Sequence, residues 1–247
     1  MKLQPGAIIG EAWRLYREHW RHFLPIALIV YLILGLVTLV LALLLGWVGA
    51  LLGGLLGIIG VFWLQGALTE AVNDVRDGRA DLSIGDTFKR VQPKLGSIIG
   101  AGILAGLGIV LGLILFIVPG LYLLTIWSLI VPAIVLEGKP AMESFGRSRE
   151  LVRGNGWNVF GVIVLTVLIV IAISIVVSLA FFWVPGEAFR SFVQSVVQNT
   201  LAYPFMALAW TLVYFALAGA GLGRAAAAAT EVPGIEPSEP PPPSPAV

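Results

Sequence analysis

Apolar and charged positions fall into long separate blocks along this chain. Four runs carry no Asp, Glu, Lys or Arg: Phe23–Leu68 (46 residues), Leu95–Leu136 (42), Gly154–Gly186 (33) and Ser191–Gly223 (33). A helix needs about 20 apolar residues to cross a bilayer. The first two runs therefore hold two spans each, and the last two hold one each. The predicted spans are 23–46, 49–68, 96–117, 120–137, 158–183 and 198–219. Backbone amides in hydrocarbon must be bonded within their own segment, so runs this apolar are helices. The short alternating segments of a transmembrane barrel are absent. The predicted fold class is all-α, a polytopic transmembrane helix bundle.

The segments between the runs carry a helical period of their own. In residues 1–22 the spacing places Ile9, Ala12, Trp13, Tyr16 and Trp20, with Phe23 following, on one stripe. Arg14, Arg17, Glu18 and Arg21 fall on another, the pattern of a helix lying in the membrane interface. The interfacial residues expected here are Trp13, Arg14, Arg17, Trp20 and Arg21. A second such helix starts at the capping box Ser83-Ile84-Gly85-Asp86, with Phe88, Val91 and Leu95 on its apolar face. A third starts at Pro140, which suits a first helical turn, and its Glu143 is spaced to pair with Arg147.

These segments also resemble one another. Gly10-Glu11-Ala12-Trp13-Arg14, Gly85-Asp86-Thr87-Phe88-Lys89 and Met142-Glu143-Ser144-Phe145-Gly146-Arg147 each read acidic, small, aromatic, basic. Each leads into an odd-numbered span, which gives three amphipathic-helix-plus-hairpin repeats. Val118-Pro119-Gly120 and Val184-Pro185-Gly186 are read as the matching outer turns. A further match, Gly186-Glu187-Ala188-Phe189-Arg190, falls on the other side of the membrane and is read as coincidence.

Charge sets the orientation. Fourteen of the fifteen Lys and Arg residues lie in the N-terminal segment, in the loops after spans two and four, or at Arg224, leaving Arg190 on the opposite side. The positive-inside rule places the fourteen, and both termini, in the cytoplasm. No cleavable leader is expected, because residues 1–22 read as an amphipathic helix. Residues 224–247 hold seven of the fifteen prolines and three glutamates, and are read as a disordered cytoplasmic tail. The domain plan is thus an interfacial helix (1–22), a six-span membrane domain (23–223) and the tail.

Composition then narrows the chemistry. Only 12% of residues are charged, about half the share in a soluble domain, and mean hydropathy is +0.96. A water-soluble globule is excluded. With no cysteine and two histidines, neither a disulfide framework, an iron–sulfur cluster nor thiolate zinc ligation can be built. No metal, cofactor or catalytic residue is expected. A net charge of +1 argues against nucleic acid. The +4 carried by residues 1–224 suits anionic headgroups at the cytoplasmic face. The expected partners are membrane lipids, a second copy of the chain or an envelope protein.

No ionisable residue lies in the middle of a span, which argues against ion-coupled transport. The polar residues at depth are Thr38, Gln65, Thr125, Ser128, Thr166, Ser174, Ser178 and Thr211. Glycines at i+4 spacing predict close helix packing, within the bundle or at a homodimer seam: Gly49, Gly53 and Gly57 in span two, then Gly96, Gly100, Gly102, Gly106, Gly108 and Gly112 around span three. Glu70 and Glu137 sit at cytoplasmic helix ends, where the macrodipole disfavours them. Each needs a cation, and a Glu137–arginine latch between repeats is expected.

The stretch Trp127, Pro132-Ala133, Glu137-Gly138, Ala141, Ser148, Leu151, Gly154 and Trp157 resembles a known pattern. It is similar to the six-span bacterial family described as the glycerophosphoryl diester phosphodiesterase membrane domain, with its uncharacterised relatives. Glu11-Ala12-Trp13 and the spacing of the spans are similar too. In some members a soluble barrel performs the hydrolysis, and no such barrel is expected here. Where relatives follow a tyrosine in the last span with an acidic-Leu-Arg cluster, this chain has Tyr214-Phe215-Ala216-Leu217. The resemblance implies a membrane module without the enzyme. The expectation is a non-enzymatic scaffold or lipid- and partner-contacting module of the cytoplasmic membrane. The alternative is a transport component for a lipid or small amphipathic solute, with a polar cavity joining Gln65, Thr125, Ser128 and Glu137. Hydrolysis of a lipid headgroup by Glu70 and Asp74 finds no support in their spacing.

Overall fold

A computed structural model describes residues 3–76 and 82–230. Every element among them is helical: α1 (Pro5–Glu18), α2 (Trp20–Leu45), α3 (Trp47–Arg76), α4 (Ile84–Val91), α5 (Leu95–Leu115), α6 (Ile117–Ile126), α7 (Ile130–Glu137), α8 (Ala141–Val152), α9 (Gly156–Ala180) and α10 (Glu187–Thr230). Six stretches are long and apolar enough to cross a membrane: α2, α3, α4 with α5, α6 with α7, α9, and Phe189–Gly219 of α10.

Several boundaries differ from the sequence expectation. The first interfacial helix stops at Glu18, because His19 leaves helical geometry (φ −119°, ψ 24°). Trp20 and Arg21 therefore open α2, with the Arg21 guanidinium 5.4 Å from the Trp20 ring centre. The turn between the third and fourth spans falls at Phe116, which is extended, and Val118-Pro119-Gly120 lies inside α6. Proline lacks only a donor that a first helical turn leaves unused. The turn expected at Val184-Pro185-Gly186 is present, with Gly186 at φ +85°. The last helix begins at Glu187 rather than near 198. It runs to Thr230, seven residues into the expected tail, where five consecutive alanines favour helix. Residues 231–247 and Arg79 lie outside the described residues.

Burial divides the bundle across its length. Hairpin tips are bare, with Leu43, Leu44 and Trp47 on one, Ile114, Phe116 and Val118 on the next, and Trp183 on the third. The opposite halves are packed. Phe23, Leu64, Leu68, Phe205 and Leu208 join one core, while Val91, Ile98, Ile134 and Val135 form a second. The three short helices α1, α4 and α8 cover these packed halves, docking on α10, α3 and α7 respectively.

Candidate functional site

The fourth span is broken. Between α6 and α7 the backbone leaves the helix at Trp127, Ser128 and Leu129, and Pro132 stands in the first turn of α7. A break inside a bundle strands polar backbone groups, which are costly to bury unpaired. Ser148 of α8 satisfies two of them: its hydroxyl donates to the Ile126 carbonyl (2.7 Å) and accepts from the Leu129 amide (3.1 Å). Ser148 is fully buried. The Trp127 ring meets Phe145 of α8 edge-on at 5.1 Å and packs over Gly108.

Beyond the break α7 ends at Glu137, with Gly138 in the left-handed conformation that closes the helix (φ 68°). The Arg147 Nε lies 2.9 Å from both Glu137 oxygens, its Nη1 donates to Glu150 (3.0 Å), and the Tyr214 hydroxyl of α10 donates to Glu137 (2.8 Å). Burial works against the Arg147 charge, but hydrogen bonds to Glu137 and Glu150 outweigh it and hold the guanidinium above its ordinary range. The expected latch is present and ties α7, α8 and α10 together. The pair expected between Glu143 and Arg147 does not form, and Glu143 lies 3.6 Å from Lys139 instead. Glu137 is the less exposed carboxylate, and attraction to it is screened less.

Glu70 has a similar junction: Arg90 of α4 donates to it at 3.2 Å. Phe88, two residues before Arg90, meets Trp63 edge-on at 5.4 Å, as Phe145 meets Trp127. Lys94 reaches across to the Val135 carbonyl. Trp63 and Arg90 were not singled out from sequence, and Tyr214 was named only for its place in the last span. The visible signal is a tryptophan seven residues ahead of Glu70 and ten ahead of Glu137, the difference being the three residues of the break.

Most of the resembling stretch serves this junction. Trp127, Pro132 and Ser148 form the break and its cap, Glu137 and Gly138 end α7, Leu151 is buried, and Gly154 turns the chain at φ +82°. Trp157 stands apart and is 87% exposed. Of the interfacial residues, Trp13 stacks on Tyr16 and Arg14 pairs with Glu11 and Glu18. Arg17 is exposed.

The glycines divide. A Cβ on Gly49 would strike the Leu41 carbonyl, one on Gly53 would strike Thr38, and one on Gly102 would strike Phe62, while Gly108 and Gly112 meet Trp127 and Gly120. Gly57, Gly96, Gly100 and Gly106 face open space, so the packing within the bundle does not use them. Each i+4 step advances about 40° around a helix, so Gly57 rotates out of the seam and Gly60 meets Leu34 in its place.

The polar residues at depth do not converge. Thr125 and Ser174 donate to carbonyls of their own helices, and Ser128 donates back to Thr125. Gln194 and Gln198 of α10 reach Ser178 and Ser174 of α9 at 2.7 Å. Gln65 instead lines a cavity of about 280 Å³ with Tyr203, Met206 and Trp210, apart from Thr125, Ser128 and Glu137. No metal-binding cluster occurs among the described residues.

Fold and junctions together define an all-helical protein with six helices suited to crossing a membrane, whose charged groups meet where short helices dock on long ones. The chain belongs to the family described as domain of unknown function DUF7847, whose model matches residues 14–232. No curated protein and no solved structure matches it.

Proposed function

We propose that the chain is a non-enzymatic scaffold of the cytoplasmic membrane that contacts lipid or an envelope-protein partner, with both termini in the cytoplasm. One observation carries the reading. The carboxylates at the span ends are tied to arginines of neighbouring helices, Glu70 to Arg90 and Glu137 to Arg147, and so brace the bundle. The resemblance to the phosphodiesterase membrane domain, taken as the module without its hydrolase, agrees with this.

The same contacts support three repeats closed head to tail. Each short helix sets an aromatic ring against the even-numbered span it docks on: Phe88 on Trp63, Phe145 on Trp127, and Trp13 on Phe205. The third junction replaces charge with packing. Leu15 follows Trp13 by two residues, as Arg90 follows Phe88, and Leu212 follows Phe205 by seven, as Glu70 follows Trp63. Both leucines are buried in one apolar cluster.

The reading is tested with the purified full chain in liposomes carrying a fluorescent phospholipid. A scaffold leaves transbilayer exchange at the rate of protein-free vesicles, and acceleration would transfer the case to transport. That second reading draws on the 280 Å³ cavity, where the buried Trp210 Nε1 has no hydrogen-bond acceptor among the described residues. Orientation is tested by placing single cysteines in this cysteine-free chain. In intact cells an impermeant maleimide is expected to label Trp183→Cys but not Lys139→Cys. Labelling of Lys139→Cys alone would reverse the topology.

A further inference from the structure

A cleft of about 570 Å³ opens between α6, α8 and the start of α9, within the size range of small-ligand sites. Tyr122 and Ile126 form its apolar wall, and Arg149, Glu150 and Arg153 its polar one, with Gly146 also lining it. Glu150 is occupied by Arg147 (3.0 Å). Among the described residues neither Arg149 nor Arg153 has a carboxylate within 4.0 Å, whereas Arg147 of the same helix has two. Two uncompensated guanidinium groups therefore share one recess. Guanidinium groups bind phosphate oxygens with paired, charge-assisted hydrogen bonds. Gly156, the first residue of α9, also lines the cleft, and the Asn155 side chain does not cap that helix.

The wall opposite the arginines extends into a bare apolar surface. Ile117, Val118 and Tyr122 of α6 are all more than half exposed, and they lie on the side of the cleft nearer the hairpin tip. Paired cations on one side and exposed hydrocarbon on the other match an amphiphile. A free phosphate would satisfy the arginines and leave the apolar wall uncovered.

We propose that this cleft binds the phosphate of an anionic phospholipid, with the acyl chains laid against α6. The proposal deepens the lipid-contacting reading above and rests on it. Thermal unfolding of the full chain in detergent tests it, because a ligand that binds the folded state raises Tm with its concentration. The ligands are phosphatidylglycerol, phosphatidylcholine and inorganic phosphate. Phosphatidylglycerol is expected to raise Tm at the lowest concentration, phosphatidylcholine to act weakly, and inorganic phosphate not to compete. Arg149→Gln with Arg153→Gln is expected to weaken apparent phosphatidylglycerol affinity about tenfold to thirtyfold. Gly146→Leu keeps both arginines and fills the recess, since nothing lies within 4 Å of a Cβ placed there. It is expected to weaken binding similarly, while Arg190→Gln in the first turn of α10 leaves it unchanged. Competition by inorganic phosphate at equal concentration would overturn the lipid assignment. Undiminished binding in both cleft variants would overturn the site while leaving the lipid-contacting reading standing. No Tm response of the unaltered chain to any phospholipid would remove both.

Discussion

Single side chains decide how the junctions hold. Glu137 is 19% exposed and Arg147 29%, so both partners are partly shielded from solvent, whereas at the matching junction Glu70 is 11% exposed but Arg90 57%, which leaves that pair open to solvent on one side. Exposed pairs contribute less than about 1 kcal/mol, and buried ones are costly to break. A double-mutant cycle of Glu137→Gln and Arg147→Gln, read from unfolding in detergent, is expected to give a coupling of about 1–3 kcal/mol. The cycle of Glu70→Gln and Arg90→Gln is expected to stay below about 1 kcal/mol. Equal couplings would contradict the burial argument. Ser148→Ala unpairs the Ile126 carbonyl and the Leu129 amide together. It is expected to cost about 2 kcal/mol or more, and a neutral outcome would mean that water or neighbouring backbone replaces the hydroxyl.

Elements differ in how plainly the sequence announces them. All six spans were legible because each is a long run free of charge, and hydropathy registers that directly. The break at Trp127-Ser128-Leu129 was not, because those residues carry no charge, a lone serine in a span can bond its own helix, and the repair comes from Ser148, nineteen residues beyond Leu129. The Glu137 latch was legible from electrostatics alone: a carboxylate at a helix C-terminus needs a cation. Its Tyr214 partner, 77 residues away in sequence, needed the fold. Spacing found the packing glycines only in part, since a helix turns by 40° between them. The distinction is testable within α3. Gly49→Ala is expected to destabilise by about 1–3 kcal/mol through its clash with the Leu41 backbone. Gly57→Ala, facing open space, is expected to be neutral or to gain up to about 1 kcal/mol. The docking of α1 can be followed by pH. Tyr16 donates to the Leu201 carbonyl (3.1 Å), and burial pushes its phenol up to about 12. An unfolded chain ionises tyrosine near about 10. The stabilisation is therefore complete below that pH and is lost as pH rises from about 10 to 12. Tyr16→Phe is expected to raise the midpoint of alkaline unfolding, and an unchanged midpoint would count against the burial of this hydroxyl.

The whole molecule is asymmetric along the spans. One half is a packed core girdled by α1, α4 and α8, and the other ends in bare apolar hairpin tips. That division fits a module held in place by lipid on one side and braced by charged junctions on the other. Neither the fold nor the family names a ligand, so the most direct measurement is native mass spectrometry of the full chain released from its own membranes. The account predicts a complex carrying phospholipid in simple stoichiometry, or a second protein chain, with the phospholipid depleted when Arg149 and Arg153 are both replaced by Gln. A bare monomer, free of lipid and partner under the gentlest release, would contradict it.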